Sequence, residues 1–239
     1  MGSWENYASR IEPNGSTQRE YIKKLTANRI NNKIKNSLSY KSVFINGQKQ
    51  NVAIINKSEL NEKKICSLPN EHLIHGGLVD WSNSKWLITE LDAHNELYET
   101  GIMQQCNYPL KWLNRNGEII EKWCIVEDGT KYLIGEKASD IMAIGDARIA
   151  ITIGKDSDTI ELSRGKRFLV DDLDSSNPLA YQITKPNKLY NIYGGKGIFR
   201  FILNEVNLTD NDNTELMIAD YYNQDTTPVL FDKNKEVWI

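Results

Sequence analysis

The spacing of apolar residues changes near residue 40. Upstream, a thin apolar stripe at helical spacing predicts a helix over residues 17–36, which starts at the capping-box sequence Thr17-Gln18-Arg19-Glu20. The stripe comprises Tyr21, Ile22, Leu25, Ala27, Ile30 and Ile34, and basic residues surround it. Because these few apolar residues bury little area, the helix needs a docking surface. That surface lies either on its own domain or on a neighbouring subunit.

Downstream of residue 40 the apolar residues follow a period of two, which predicts strands. Asn46-Gly47 inside "SVFINGQKQNVAII" and the polar turn inside "DWSNSKW" predict two hairpins. A further half-buried strand is predicted over residues 102–112, with Pro109 on its exposed parity, which indicates an edge or a bulge. After the Asn116-Gly117 turn, "EIIEKWCIVE" is apolar on both parities and is typical of a strand covered on both faces.

A second set of short strands follows the connection "DGTKYLIGEKASDIM". Turn signals at intervals of roughly ten residues indicate a small β-sandwich. Its strands are predicted at 149–153, 160–162, around 168, and at 181–183, 198–206 and 216–218. The predicted fold class is therefore mainly β. The domains are an N-terminal arm and helix (1–37), a small β-barrel (38–135), a second β-sandwich-like domain (140–222) and a C-terminal tail (223–239).

Four tryptophans, Trp81, Trp86, Trp112 and Trp123, fall within the barrel segment. Large aromatic residues at strand spacing normally fill the core of a barrel. The alternative is a ligand platform, but the sequence places no set of polar residues around these rings. We therefore predict that the four indoles form the core of the domain.

Composition is that of an ordinary soluble domain, with 239 residues, 40% of them hydrophobic and 26% charged, and a net charge of -3. The charge is unevenly distributed. Residues 1–40 hold seven Lys and Arg against three Asp and Glu, and the last thirty residues hold two Lys against seven Asp and Glu. Basic and acidic ends favour contacts between protein surfaces over a general affinity for nucleic acid.

Three cysteines, Cys66, Cys106 and Cys124, lie far apart in the sequence without a CxxC pair. This spacing predicts neither a disulfide framework nor a zinc knuckle, and it is typical of a reducing compartment. No apolar run at the start indicates a signal peptide, and no stretch is long enough to span a membrane. The sequence thus predicts synthesis in a cytosol.

Motifs that could carry chemistry are weak. His72 and His75 form an H-x-x-H pair that, with Cys66, could hold zinc, but no further ligand follows at a metalloprotease spacing, and two loop histidines are the preferred interpretation. "YGGKGIF" (193–199) lacks the helix that a phosphate loop requires, so its glycines are interpreted as a hairpin.

Two acidic stretches invite a calcium interpretation. "TDNDNTE" (209–215) alternates acidic residues but lacks the glycine and the glutamate of a calcium loop, so a solvated turn is preferred. The cluster Asp171, Asp172 and Asp174 is interpreted in the same way. No catalytic residue, cofactor or metal is predicted.

The stretch "GGLVDWSNSKWLITELD", followed by "MQQCNYPLKWLN" and "NGEIIEKWCIVEDGTKY", resembles neck proteins of tailed bacteriophages and prophages of low-GC Gram-positive bacteria. The first element is similar to the hairpin motif of head-closure (stopper, head–tail joining) proteins. The positions that match it are Gly77, Val79, Trp81, Trp86 and Ile88, with Leu78 where the family usually has Asp. The resemblance covers residues 70–135.

The resemblance implies a structural virion protein without catalytic residues. Head-closure proteins are small β-barrels that form a ring of six or twelve copies below the portal and its adaptor, seal the channel after packaging and dock the tail. The implied partners are copies of the same chain and the portal, adaptor and tail proteins, with packaged DNA nearby but not specifically bound, and no membrane. Loops and termini make the contacts in that family. The candidate subunit-interface residues are Tyr21, Ile22, Leu25, Ile30, Ile34, Val237, Trp238 and Ile239.

Two alternatives remain open. One is another virion structural protein, such as a capsid-decorating or tail-adaptor subunit. The other belongs to a different class, a carbohydrate-binding or hydrolytic β protein that would use exposed aromatic residues as its platform.

Overall fold

The computed structural model describes residues 17–129, 148–170 and 178–222. These residues form one helix of 18 residues, one of four residues, and thirteen strands. The helices are α1 (Gln18–Lys35) and α2 (Ser157–Ile160). The first strands are β1 (Tyr40–Ile45), β2 (Gln48–Asn56), β3 (Glu62–Ser67), β4 (Leu78–Trp81), β5 (Ser84–Asp92) and β6 (Thr100–Gln105). The later strands are β7 (Tyr108–Leu113), β8 (Ile119–Asp128), β9 (Arg148–Gly154), β10 (Arg167–Val170), β11 (Leu179–Asn187), β12 (Ile192–Tyr193) and β13 (Lys196–Val206).

The first six strands form a closed barrel in the order β1-β2-β3-β6-β5-β4. Antiparallel pairing of β1 with β4, where Phe44 lies opposite Asp80 and Ile45 opposite Val79, closes it. Closure removes the exposed edges that an open sheet of this size would present. The interior is filled by side chains that include Val43, Ile45, Val52, Ile54, Ile65, Val79, Trp86, Ile88 and Met103.

The remaining strands form one sheet in the order β10-β11-β13-β9-β8-β7, with β12 paired to β13. The sheet curls into a nearly closed barrel, and the Tyr108 hydroxyl on the edge strand β7 donates to the carbonyl oxygen of Leu169 on β10 at 3.5 Å. Its core includes Leu110, Trp112, Cys124, Ile151, Ile153, Phe168, Phe199, Phe201 and Leu203. The predicted fold class, mainly β with an N-terminal helix and two β units, is confirmed.

The boundary between the two sheets lies between Gln105 and Tyr108, upstream of the 135–140 boundary predicted from the sequence. The predicted strand over 102–112 is split at this point into β6 and β7. Cys106 buries its side chain between the sheets. The Asn107 side chain accepts from the Val126 amide and donates to the Val126 carbonyl oxygen, both at 2.8 Å, which aligns the chain with β8. Pro109 then lies on an edge strand, as predicted.

Three glycines lie where the backbones of the two sheets come into contact. A Cβ atom at Gly76, in the loop before β4, would lie 1.9 Å from the carbonyl oxygen of Gly197 on β13. A Cβ atom at Gly154, at the end of β9, would lie 2.3 Å from the carbonyl oxygen of Gly76. Beside this junction Leu87, Cys106, Ile125 and Ile198 form a small apolar cluster shared by both sheets. The two units are thus packed together through backbone contacts that no larger residue permits.

Among the local predictions, two hairpins are confirmed and two strands are wrong. The hairpins at Asn46-Gly47 and Ser82-Asn83 are confirmed as two-residue turns with positive φ at both positions. The strand predicted at 160–162 was wrong, because Asp156 caps a helical turn there. Its carboxylate accepts from the amides of Asp158 and Thr159, and the Thr159 hydroxyl accepts from the Asp156 amide. The segment 216–218 is no strand either and makes only an isolated bridge between Asn213 and Ile218.

Helix α1 begins as predicted, with the Thr17 hydroxyl accepting from the Glu20 amide at 3.2 Å. It ends at Lys35, and none of its residues is buried. Within the described part of the chain, no helix has the length and apolarity to cross a bilayer.

Candidate functional site

The candidate interface residues on α1 divide into two groups. Tyr21, Ile22 and Leu25 are exposed by 45%, 52% and 37%. Ile30 and Ile34, further along the helix, are half-buried. One side of the helix therefore packs on the rest of the chain. The other side is exposed to solvent and carries three large apolar side chains. Val237, Trp238 and Ile239 lie outside the described residues.

Two exposed ion pairs connect α1 to the barrel. Arg19 Nη2 lies 2.6 Å and Lys23 Nζ 3.6 Å from the carboxylate of Glu96, in the loop after β5. Exposed pairs of this kind contribute little to stability, because water solvates both partners. Within the part of the chain that the structure describes, α1 thus has half-buried residues on one side but no fully buried one.

The hairpin that carries the family-like motif turns its residues toward the barrel interior. Val79 and Ile88 are fully buried, and Trp86 is 5% exposed. Trp81 is half-buried beside the same core, with its ring 5.6 Å from that of Trp86. Gly77, the first residue of the motif, donates its amide to the Ile74 carbonyl oxygen, and its own carbonyl oxygen accepts from the Ile88 amide. The motif therefore builds the barrel wall.

The other two tryptophans lie in the second sheet. Trp112 is 2% exposed and meets Phe168 edge to face, with ring centroids 6.2 Å apart. Trp123 is half-buried against the apolar cluster between the sheets. The four indoles predicted to share one core are thus distributed over both sheets and their junction, because β7 and β8 belong to the second sheet.

Replacing Trp86 by alanine is expected to lower the free energy of unfolding by about 3 kcal/mol, because it leaves a cavity in the closed barrel. Trp81→Ala should cost about half as much, since its ring is already partly hydrated. Denaturant unfolding checks both values. If either variant unfolds like the native chain but loses binding of a sugar or another small ligand, the platform interpretation is correct and the core interpretation is wrong.

The zinc candidates do not form a metal site among the described residues. The Cys66 thiol is buried, and burial raises its pKa, which opposes the thiolate that zinc requires. His72 Nδ1 lies 2.8 Å from Glu99 Oε1, and His75 Nε2 lies 3.0 Å from the Thr89 carbonyl oxygen. Each histidine thus has its own partner.

The calcium-like stretch 209–215 surrounds an arginine. Arg167 on β10 donates through Nη1 and Nη2 to the two carboxylate oxygens of Asp212, at 2.9 and 2.8 Å, and through Nη1 to Asp220 at 2.7 Å. The side chain of Asp212 is 1% exposed. Sequence reasoning missed this role of Arg167, because Arg167 and Asp212 are separated by 45 positions and no local pattern connects them.

The glycines of "YGGKGIF" form the hairpin between β12 and β13, as predicted. Gly194 and Gly195 both have positive φ, and Lys155 Nζ donates to the Gly195 carbonyl oxygen at 2.7 Å. The cluster Asp171, Asp172 and Asp174 lies outside the described residues.

A cavity of about 410 Å³ lies at the junction of the two sheets. It is lined by the β1–β2 turn, by Leu78 and Asp80 of β4, by residues 121–123 of β8 and by the end of β9. Lys122 Nζ lies 2.7 Å from Asp156 and 3.0 Å from Asp158. Burial opposes the charge on Lys122, but these hydrogen bonds raise its pKa overall and lower that of Asp156. Because Lys122 and Asp156 are held in an ion pair, their pKa values do not lie near neutral pH, where a general acid or base works best.

A family model described as the YomX N-terminal domain matches residues 10–105 of this chain. No curated protein and no solved structure matches. The matched segment covers less than half of the chain, contains α1 and all six strands of the closed barrel, and ends at the last residue of β6. The match therefore coincides with the first structural unit, and the chain is similar over that unit to the YomX N-terminal domain.

Proposed function

We propose that this protein is a structural subunit of the neck of a tailed bacteriophage, of the head-closure type. Copies form a ring that seals the portal channel and docks the tail. The observation that carries the proposal is the combination of a closed β-barrel with a helix that has no buried residue. A rigid body with a partly exposed helix on its surface suits assembly between copies.

The barrel supports the proposal through its rigidity. Its strands are closed on themselves and its interior is filled by buried aliphatic residues and Trp86. The residues that resemble the head-closure hairpin are those that pack this interior, with Val79 and Ile88 fully buried. A ring closes only when every subunit repeats the same rotation, so a subunit that does not deform is an advantage.

The helix supports the proposal through its incomplete burial. An isolated helix of this length is marginal in water, and most helical stability in proteins comes from packing of an apolar face. Tyr21, Ile22 and Leu25 are all more than one third exposed. A neighbouring copy would bury apolar side chains that the described residues leave exposed.

The proposed role involves protein partners and a position in the virion, and it requires no catalytic residue. Portal, adaptor and tail proteins lie above and below the ring in the virion, and the chain is made in the cytoplasm of the host bacterium. Packaged DNA passes nearby without specific binding, in keeping with the net charge of -3.

Copy number in purified virions distinguishes this proposal from a capsid-decorating role. A neck ring contains the same number of copies as one portal ring, or half as many, whereas a decoration protein follows the major capsid protein in number. Quantitative mass spectrometry, with peptides of the portal and capsid proteins as internal standards, is expected to give a ratio to portal near one or one half. A ratio that follows the capsid protein, or absence from the particle, would contradict the neck assignment.

A further inference from the structure

The exposed side of α1 has a defined chemical character. Ile22, Leu25, Arg29 and Lys33 follow one another at spacings of three and four, so they form a line along the helix. All four are exposed. Arg29 and Lys33 make no ion pair with the described residues. This basic helix face, apolar at its start and cationic toward its end, is directed away from the Glu96 contacts.

A surface of complementary character lies on the loop after β13. It comprises the exposed residues Leu208, Asp210, Glu215, Leu216 and Tyr222. Neither of its two carboxylates makes an ion pair with the described residues, whereas the neighbouring Asp212 is held by Arg167. We name this surface the acidic patch.

The acidic patch is rigid because its loop is bonded internally. Asn213 and Ile218 exchange backbone hydrogen bonds, and Asn213 Nδ2 donates to the Tyr222 hydroxyl at 3.2 Å. Arg167 fixes the same loop to β10 through Asp212 and Asp220. A preorganised surface loses little conformational entropy when a partner binds.

We propose that the basic helix face of one copy docks on the acidic patch of a second copy of this chain. Cations of the helix meet the unpaired carboxylates of Asp210 and Glu215, and Ile22 and Leu25 meet the apolar side chains Leu208, Leu216 and Tyr222. The two surfaces are different parts of the molecule, so copies that engage them with two different neighbours generate a ring or a filament. The inference deepens the proposed function, since it rests on the ring and names the contact that forms it.

Charge reversal on each surface tests this contact. The helix variant is Arg29→Glu with Lys33→Glu, and the patch variant is Asp210→Lys with Glu215→Lys. The control, Lys41→Glu with Lys49→Glu, makes the same charge change as the helix variant at exposed barrel residues. Thermal unfolding of each variant verifies that it is folded. Sedimentation velocity over a concentration series, at low and high salt, measures self-association.

The native chain and the control are expected to self-associate, and more weakly at high salt. Either reversal alone should raise the dissociation constant by about tenfold or more, because like charges then face each other. An equimolar mixture of the two variants, and a chain that carries both reversals, should restore association to within about threefold of native, since opposite charges meet again.

Several results would overturn the inference. These are a native chain that stays monomeric, reversals that leave association unchanged, or folded variants whose mixture does not associate. The inference also fails if charge reversal at Lys188 and Lys196 abolishes association while charge reversal at Arg29 and Lys33 does not. In that case the exposed loop around Tyr190, and not α1, binds the acidic patch. These outcomes are independent of virion copy number, so the contact and the neck assignment can fail separately.

Discussion

Replacing Gly76 by alanine is expected to destabilise the protein by more than about 4 kcal/mol, which is beyond the usual range for a single substitution. The added methyl group would lie 1.9 Å from the Gly197 carbonyl oxygen and 2.7 Å from the Gly197 carbonyl carbon. Both obstacles are backbone atoms, so no side-chain rotation relieves the clash. The Gly197 oxygen also accepts from the Lys155 amide at 2.9 Å, so a shift of Gly197 would strain a second segment.

Gly47→Ala is a matched control for this experiment. Gly47 has φ of +80°, close to the +78° of Gly76, but a Cβ atom there has no neighbour within 4 Å. Its substitution should therefore cost only the backbone penalty of a left-handed residue, about 1–2 kcal/mol. Denaturant unfolding of both variants measures the difference. Equal losses would show that the contact between the two sheets contributes nothing to stability.

Replacing Arg167 by alanine is expected to cost about 3–5 kcal/mol, because it leaves the buried carboxylate of Asp212 without its counter-charge. Arg167→Lys should recover only part of this loss, since an ammonium group cannot bind both carboxylate oxygens of Asp212 and reach Asp220 with the same geometry. Arg164→Ala is the control, because Arg164 is exposed and makes no ion pair with the described residues. A loss at Arg167 no greater than at Arg164 would contradict a structural role.

The same ion pair predicts how stability depends on pH. Burial opposes the charge on Asp212, but hydrogen bonds from Arg167 and from the amides of Asp220 and Thr209 lower its pKa overall. A carboxylate whose pKa is lower in the folded state contributes stability above its unfolded pKa of about 3.9 and loses that contribution as the pH falls through the folded value. Asp212→Asn should therefore flatten the decline of the unfolding free energy below about pH 4. An unchanged acid profile would show that Asp212 is not among the groups responsible.

Several elements were predictable because their signals are local. The Thr17 cap, the hairpins at Asn46-Gly47 and Ser82-Asn83, and the glycine turn at Gly194-Gly195 all depend on the conformational preferences of two to four consecutive residues. The helical turn at Ser157–Ile160 had a similar signal in Asp156 and Thr159, but the alternation of Ile160 and Leu162 indicated a strand instead. The helix cap set the local structure there, because a segment of four residues is too short for its apolar spacing to distinguish a helix from a strand.

The candidate interaction surface was predictable only in part. The thin apolar stripe indicated a helix in need of a partner, but it does not distinguish Ile22 and Leu25, which are exposed, from Ile30 and Ile34, which are half-buried. That division depends on which side of α1 packs on the rest of the chain, a tertiary contact that the stripe does not encode. The acidic patch was similarly hidden, because the sequence does not show which carboxylates Arg167 neutralises and which remain unpaired.

Neighbouring residues encode the alternation of strands and turns, the start of α1 and the mainly β class. The completed fold sets where one sheet ends and the next begins, how Gly76 fits between Gly154 and Gly197, and how Arg167 meets Asp212. Those contacts join residues far apart in the chain. Their energy depends on the distances that the completed fold imposes, and a local pattern of apolar and polar residues carries no information about those distances.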